Sequence, residues 1–234
     1  MRSVLFLIIA SLIFSCGSKT TELQDSTPPN IIWLVAEDIS PALGCYGDPL
    51  AKTPNIDKIA ARGIRFNKAY ATAPICAPSR SCLMSGLYAT SLGTQHLRCE
   101  IPFPSQLQTL PEHLAAAGYF TSNRNKTDYN FDPEGRWEHW SGSYAPWRHR
   151  KDQEQSFFSF INVGPSHEGS VNNDDRYLES IAELPPESLV DPNQVTVPPY
   201  YPDNEQSRAV WARYYNVLQA MDKNVGQVLD SLEA

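Results

Sequence analysis

The sequence predicts an α/β sandwich, with a largely parallel central sheet flanked by helices. Three observations lead there. The 234 residues are 41% apolar and 19% charged, a globular composition with chain enough for one sizeable core. Short apolar runs at 30–38, 119–123 and 155–163 have the length and residue types of buried parallel strands. Segments of helical periodicity fall between and after them, and strand–helix alternation argues for a parallel sheet.

The chain opens on "MRSVLFLIIASLIFSCGSK", with Arg2 before an apolar run from Val4 to Phe14. That run is too short to cross a bilayer comfortably, so a cleaved signal is expected. Ile13-Phe14-Ser15-Cys16 resembles a bacterial lipobox, with cleavage before Cys16 and lipid on its sulfur; a plain secretory signal ending in cysteine is the alternative. Residues 1–15 then form the signal, 16–29 a Ser/Thr/Pro-rich tether and 30–234 the domain. The expected setting is an exported bacterial lipoprotein, periplasmic or associated with the outer membrane, meeting the membrane through its anchor.

"NIIWLVAED" is the first strand, ending in two acids. "TPNIDKIAARG" is a helix: Thr53 caps it, Pro54 takes the first position, Ile56, Ile59 and Ala60 face inward, and Gly63 stops it. "IRFNKAYA" reads as a strand. A helix from near Pro78 to about Ser85 ends at Gly86. "LPEHLAAAG" is a further helix, "YFTSN" a strand, and "QSFFSFINV" an apolar strand leading to a loop with His167. The last segment sets Tyr214, Val217, Leu218, Met221, Val225, Val228, Leu229 and Leu232 at helical spacing. No internal repeat is present.

Composition excludes some functions. A net charge of -7 without any Lys/Arg run leaves no basic footprint for nucleic acid. Besides Cys16, the cysteines are Cys45, Cys76, Cys82 and Cys99. In an oxidising compartment these could form two disulfides. No Cys-x-x-Cys and no zinc-type spacing occurs, so zinc and thioredoxin-type chemistry lack support.

Sites in such sheets gather beyond the carboxyl ends of strands. Glu37 and Asp38, the Cys76–Arg80 stretch and His167 all fall there. Adjacent carboxylates need a cation or donors to neutralise them, and oxygen-only ligands favour calcium or magnesium over zinc. A helix cap or surface turn would also account for the pair. Arg80, in the first turn of its helix, suits a bidentate grip on an anionic group, although a surface salt bridge would use it equally well.

"CAPSRSCLMSG" resembles the sulfatase signature, Cys-x-Pro-Ser-Arg followed by a leucine-bearing helix and Gly. "PNIIWLVAED" resembles the family's metal-binding strand, "TPNIDKIAARGIRFNKAYA" the unit preceding the signature, "GYFTSNRNK" the strand that delivers a sulfate-binding lysine, and "FFSFINVGPSHEG" the histidine loop. The resemblance covers most of 29–234. It implies an alkaline-phosphatase-like sandwich, and Cys76 oxidised to Cα-formylglycine by a formylglycine-generating or sulfatase-maturating enzyme. The hydrated aldehyde is a diol: one hydroxyl attacks sulfur, and deprotonation of the second expels sulfate. By the same resemblance Arg80 holds the diol, Lys126 binds a sulfate oxygen, and His167 acts near the leaving oxygen or the second hydroxyl. Glu37, Asp38 and Cys76 would ligate calcium, or magnesium.

Three departures stand out. Glu37-Asp38 replaces the family's usual Asp-Asp, and Asp128 stands where a histidine often follows the lysine. The family's second metal pair, a further sulfate-binding lysine and the smaller C-terminal domain are not met before Ala234, so the reading is of the N-terminal part of a longer, C-terminally truncated sulfatase, inactive alone. The substrate implied is a sulfated carbohydrate, with a lean to heparan-type N- or O-sulfates. His96 and Arg98, just past the signature helix, are candidate substrate contacts. Trp137, Trp140 and Trp147 could form a sugar platform or pack a long loop, and His113 reads as a helix-surface residue. Phosphonate or phosphate monoester hydrolysis with the same diol, and a non-catalytic glycan-binding lipoprotein, are the competing functions.

Overall fold

A computed structural model describes residues 27–234. The signal, Cys16 and most of the tether lie outside the described residues. Four strands, β1 (Ile31–Val35), β2 (Phe120–Arg124), β3 (His139–Ser141) and β4 (Phe157–Asn162), form one sheet in the order β1-β4-β2-β3. All three pairings are parallel, with Ile31 opposite Phe158 and Phe120 opposite Phe157. β4 is central and fully buried, which is why "FFSFIN" carries apolar groups on both faces.

Side-chain alternation divides the core in two. Phe120, Phe157 and Ile161 project to one face, where Leu218, Met221, Val225 and Val228 of a 29-residue helix cover them. Ile31, Trp33, Phe158 and Phe160 project to the other and meet Leu83 and Met84 of the signature helix, with Leu110 and Leu114 beyond. The helices are α1 (Pro54–Arg62), α2 (Cys76–Ser85), α3 (Ala89–Leu92), α4 (Leu110–Ala116), α5 (Gly169–Asn172), α6 (Asp174–Ile181) and α7 (Glu205–Glu233). Among the described residues, no helix is long and apolar enough to cross a membrane.

Several expectations are corrected. "IRFNKAYA" is not a strand: Ile64, Phe66 and Tyr70 are exposed, and the segment joins no ladder. Its polar groups clasp a neighbouring turn instead, Arg65 donating to the Cys45 carbonyl and Tyr46 Oη to the Phe66 carbonyl. Thr53 holds the N-cap position of α1 but does not cap it with its side chain; its Oγ1 takes the Gly44 N–H at 2.9 Å, and Asp222 of α7 receives the helix's first amides. Trp137 and Trp147 are core residues stacked on Phe158 and Phe157, which leaves only the half-exposed Trp140 as a possible platform. His113 is exposed, as its place on α4 implies. The four described cysteines are free. β3 and α6 went unread because three mixed residues carry no alternation and "DDRYLESI" has no apolar stripe at full depth.

Candidate active site

The site is built where β1, β2 and β4 end. Glu37 continues the alternation of Ile31, Trp33 and Val35, so it rises on the α2 side of the sheet. Asp38 has a left-handed backbone, φ 54°, a conformation short polar side chains tolerate. The turn sends the two neighbouring carboxylates to different partners. Glu37 Oε1 lies 2.7 Å from Lys126 Nζ and 3.4 Å from Arg80 Nη2. Asp38 Oδ2 accepts the Glu168 N–H at 2.9 Å. Burial raises the Glu37 pKa, but the Lys126 hydrogen bond and the charges of Arg80, Lys126 and His167 outweigh it and leave the group below the usual carboxylate range.

Arg80 is 3% exposed, held in the second turn of α2, and donates through Nη1 to Asn162 Oδ1 at 2.5 Å. Lys126 is presented by a loop bent at Asn125, Asp128 and Asn130, all with positive φ. Those are residue types that enter that region at low cost, which is why "RNKTDYN" can double back on β2. Asp128 Oδ2 stands 3.7 Å from Lys126 Nζ. Asn162, the last residue of β4, donates through Nδ2 to the main-chain oxygens of Arg124 (2.6 Å) and Lys126 (2.9 Å). It thus fixes the arginine and the lysine loop together. In the sequence it is marked only as a lone amide closing an apolar strand.

His167 lies in the loop after β4. That loop is tied to the end of β1 by Ser166 Oγ, which donates to the Glu37 carbonyl at 2.6 Å, and by the Asp38 contact. His167 Nδ1 accepts the Gly169 N–H at 3.0 Å, so the neutral ring carries its proton on Nε2. Cys76 opens α2, half-buried, after an extended Ile75 that supplies no side-chain cap. Amides of the first turn are therefore left for an anion. His96 and Arg98 are exposed; the His96 and Thr94 carbonyls are bound by Asn130 Nδ2, each at 2.8 Å, which anchors that segment to the end of the lysine loop.

Of the predicted metal trio, Glu37 and Asp38 carry the oxygen chemistry of a hard cation, whereas Cys76 as a free thiol does not, and the number falls short. Among the described residues, no three of His, Cys, Asp and Glu stand close enough to share an ion. Glu37 faces two cations and Asp38 a backbone amide, whereas calcium takes six to eight oxygens. The described residues do not by themselves make up a calcium site.

The ends of the parallel strands thus bring a buried arginine, a lysine and a histidine loop beside a cysteine-led helix. The chain belongs to the sulfatase family, whose model matches residues 29–234. It is 32% identical to an ulvan-active sulfatase of Formosa agariphila, over 93% of this chain and 43% of that protein. It is 36% identical to an N-acetylglucosamine-6-O-sulfatase of Bacteroides thetaiotaomicron, over 59% of this chain and 24% of that one. A solved structure in complex with its substrate D-glucosamine-2-N,6-O-disulfate shares the fold, with TM-score 0.61 and 20% identity over 88% of this chain and 62% of that one. The chain spans about two fifths of the length of the ulvan-active relative. The alkaline-phosphatase-like sandwich expected from the sequence is the fold found.

Proposed function

We propose that this chain carries the nucleophile-bearing half of a sulfatase active site that hydrolyses sulfate esters or sulfamates of a glycan. The observation that carries the reading is the convergence of Arg80, Lys126 and the His167 loop around the end of β1. Oxidation of Cys76 to formylglycine supplies a hydrated aldehyde, whose diol both attacks sulfur and releases sulfate. The chain's own residues do the rest. Arg80, held by Asn162 in a buried setting, places a fixed guanidinium beside the nucleophile. Lys126 offers a movable ammonium to a sulfate oxygen. His167, with Nδ1 occupied by the Gly169 amide, presents Nε2–H toward the leaving oxygen. Glu37 and Asp38 are this chain's contribution to a divalent ion, calcium by the oxygen chemistry of the pair. The remaining ligands are proposed to come from polypeptide beyond these residues, and no step here depends on the ion.

A sulfated glucosamine is the favoured substrate class, supported by the likeness to an N-acetylglucosamine-6-O-sulfatase and to a structure that holds D-glucosamine-2-N,6-O-disulfate, with exposed His96 and Arg98 as outer contacts. A maturation enzyme acting on the Cys76–Arg80 pentad and a lipid on Cys16, placing the protein in the periplasm or on the outer membrane, complete the proposal. The test is direct. Coexpressed with a maturation enzyme, the tryptic peptide ending at Arg80 should be lighter by the difference between thiol and aldehyde. The complete gene product should turn over aryl sulfate, and Cys76→Ala should be inert. An unmodified peptide, or an active Cys76→Ala, would refute the mechanism. Fatty-acid labelling should disappear in Cys16→Ala; unchanged labelling would refute the anchor.

A further inference from the structure

On the α7 side of the histidine loop lies a cavity of about 640 Å³, bordered by Arg124, Tyr144, Pro165, Arg176 and Lys223. Arg124 ends β2 and follows Phe120 and Ser122 to the α7 face, opposite Ile161. It is 8% exposed, and its Nε and Nη1 donate only to main-chain oxygens, of Gly142 (3.0 Å) and Asn162 (2.5 Å). Its Cζ sits 3.6 Å from the centre of the Tyr144 ring. No carboxylate among the described residues stands within ion-pairing distance of it. A buried guanidinium is normally balanced by an anion; here dipoles and a ring are what the protein supplies.

A second guanidinium faces the same space. Arg176 of α6 is exposed and has no side-chain acceptor or ion pair among the described residues. Its Nη1 lies 3.0 Å, and His167 Nδ1 3.3 Å, from the point where a Cβ on Gly169 would stand. A side chain at Gly169 would meet both the guanidinium and the imidazole, so glycine is what leaves room for the two side by side. Lys223 is balanced by Glu183 at 2.6 Å, and Glu179 is the other carboxylate on the wall, so cations exceed carboxylates by one. Asn162 joins this cavity to the reacting site: its side chain accepts from Arg80 and its main-chain oxygen from Arg124.

We propose that Arg124 and Arg176 form a second anion subsite, which receives a further sulfate or a carboxylate of the glycan while the reacting sulfate sits with Arg80 and Lys126. The proposal rests on the sulfatase reading above and narrows it: the preferred substrate carries more than one negative group. The test compares the matured, complete gene product with Arg176→Gln on an aryl sulfate, a monosulfated glucosamine, an N,O-disulfated glucosamine and a monosulfated uronate disaccharide. Loss of a charge-assisted contact is worth about tenfold or more. Arg176→Gln should lose that in kcat/KM, chiefly through KM, on the substrates with a second anion, and less than about twofold on the aryl sulfate. The disulfated and uronate arms tell sulfate from carboxylate. Arg176→Lys should recover part of the loss, and Arg124→Gln, where it folds, should repeat it. An equal loss on aryl sulfate and disulfated sugar would overturn the proposal and leave Arg176 as a positioning residue for His167. No loss on any substrate would overturn it as well. If the wild type hydrolyses none of them, the functional reading itself fails. Titration with the disulfated glucosamine then decides the subsite, since binding that is unweakened in Arg176→Gln overturns it.

Discussion

At the scale of single residues, Asn162 concentrates more of the site than any group with reactive chemistry. Its amide takes the Arg80 guanidinium and gives both its protons to the backbone that launches Lys126. Removing it from a position only 7% exposed takes the amide partner from Arg80, which keeps Glu37 at 3.4 Å, and the side-chain donor from the Arg124 carbonyl, while Asn123 Nδ2 still reaches the Lys126 carbonyl at 3.3 Å; each buried group left without a partner costs about 1–3 kcal/mol. Asn162→Ala should therefore lower kcat/KM on aryl sulfate by about tenfold or more and also lower the thermal midpoint. Asn162→Asp keeps the acceptor for Arg80 but loses both donations, so it should retain stability poorly and activity partly. A fully active, fully stable Asn162→Ala would show that Arg80 and Lys126 are positioned by other means. The contrast with the other site residues explains what was legible. Glu37, Arg80 and His167 stand out because ionisable side chains fall at strand ends and in a rare pentad, whereas Lys126 follows from the resemblance of "GYFTSNRNK" to the family's lysine-bearing strand. Asn162 and Arg124 sit inside strand runs, where composition says only that a polar group interrupts an apolar face. What such a group touches depends on strand order, and strand order is a long-range fact.

At the scale of elements, the sequence announced most helices and the three longer strands, but not how α1 is held. Asp222, in the middle of α7, accepts the Ile56 amide at 2.8 Å and the Asn55 amide at 3.1 Å, and also takes the Asn55 side chain. Gly226, one turn on, leaves room for Asn55 Nδ2, which would lie 2.8 Å from an added Cβ. The cap comes from a residue more than 160 positions away, beyond the reach of local pattern. Asp222→Ala should cost about 2–3 kcal/mol, read as a lower urea midpoint with an unchanged slope; a loss under about 0.5 kcal/mol would mean α1 finds another cap. The cap of α4 is local and was readable: Thr109 and Glu112 form a reciprocal box, with Glu112 Oε2 taking the Thr109 N–H at 2.7 Å and Arg136 at 2.9 Å. Burial raises the Glu112 pKa, but the Thr109 bonds and Arg136 outweigh it, leaving it below its ordinary 4.5. A depressed carboxyl stabilises the fold above the unfolded value and loses that contribution as pH falls through the folded one. Thermal midpoints of wild type and Glu112→Gln should therefore differ most near neutrality and converge as pH drops below about 4. A constant gap across that range would assign the effect to shape rather than charge.

At the scale of the whole molecule, β1 decides what these residues can do alone. It is an outer strand of the described sheet, yet "IIWLV" is an apolar run, half-buried along its length, where an outer strand usually carries charge or proline. Beside it lies an apolar groove of about 430 Å³, lined by Ile32, Leu34, Ile56, Ile59, Phe66 and Val163. The same strand ends in Glu37 and Asp38, so the incomplete edge and the incomplete donor set occur at one place. From both features we predict that residues 1–234 alone do not turn over substrate. The two carboxylates are engaged by Lys126, Arg80 and the Glu168 amide, and they supply fewer oxygens than the six to eight that calcium takes. The 234-residue chain, confirmed as modified at Cys76, should show no appreciable turnover of aryl sulfate or sulfated glucosamine, with or without calcium. It should also self-associate in light scattering as concentration rises, and Ile32→Lys should suppress that association by charging the edge. Calcium-dependent turnover comparable to that of the ulvan-active relative would overturn this expectation. It would mean that Glu37 and Asp38 turn from their present partners toward the ion, and that the remaining ligands lie within the chain itself.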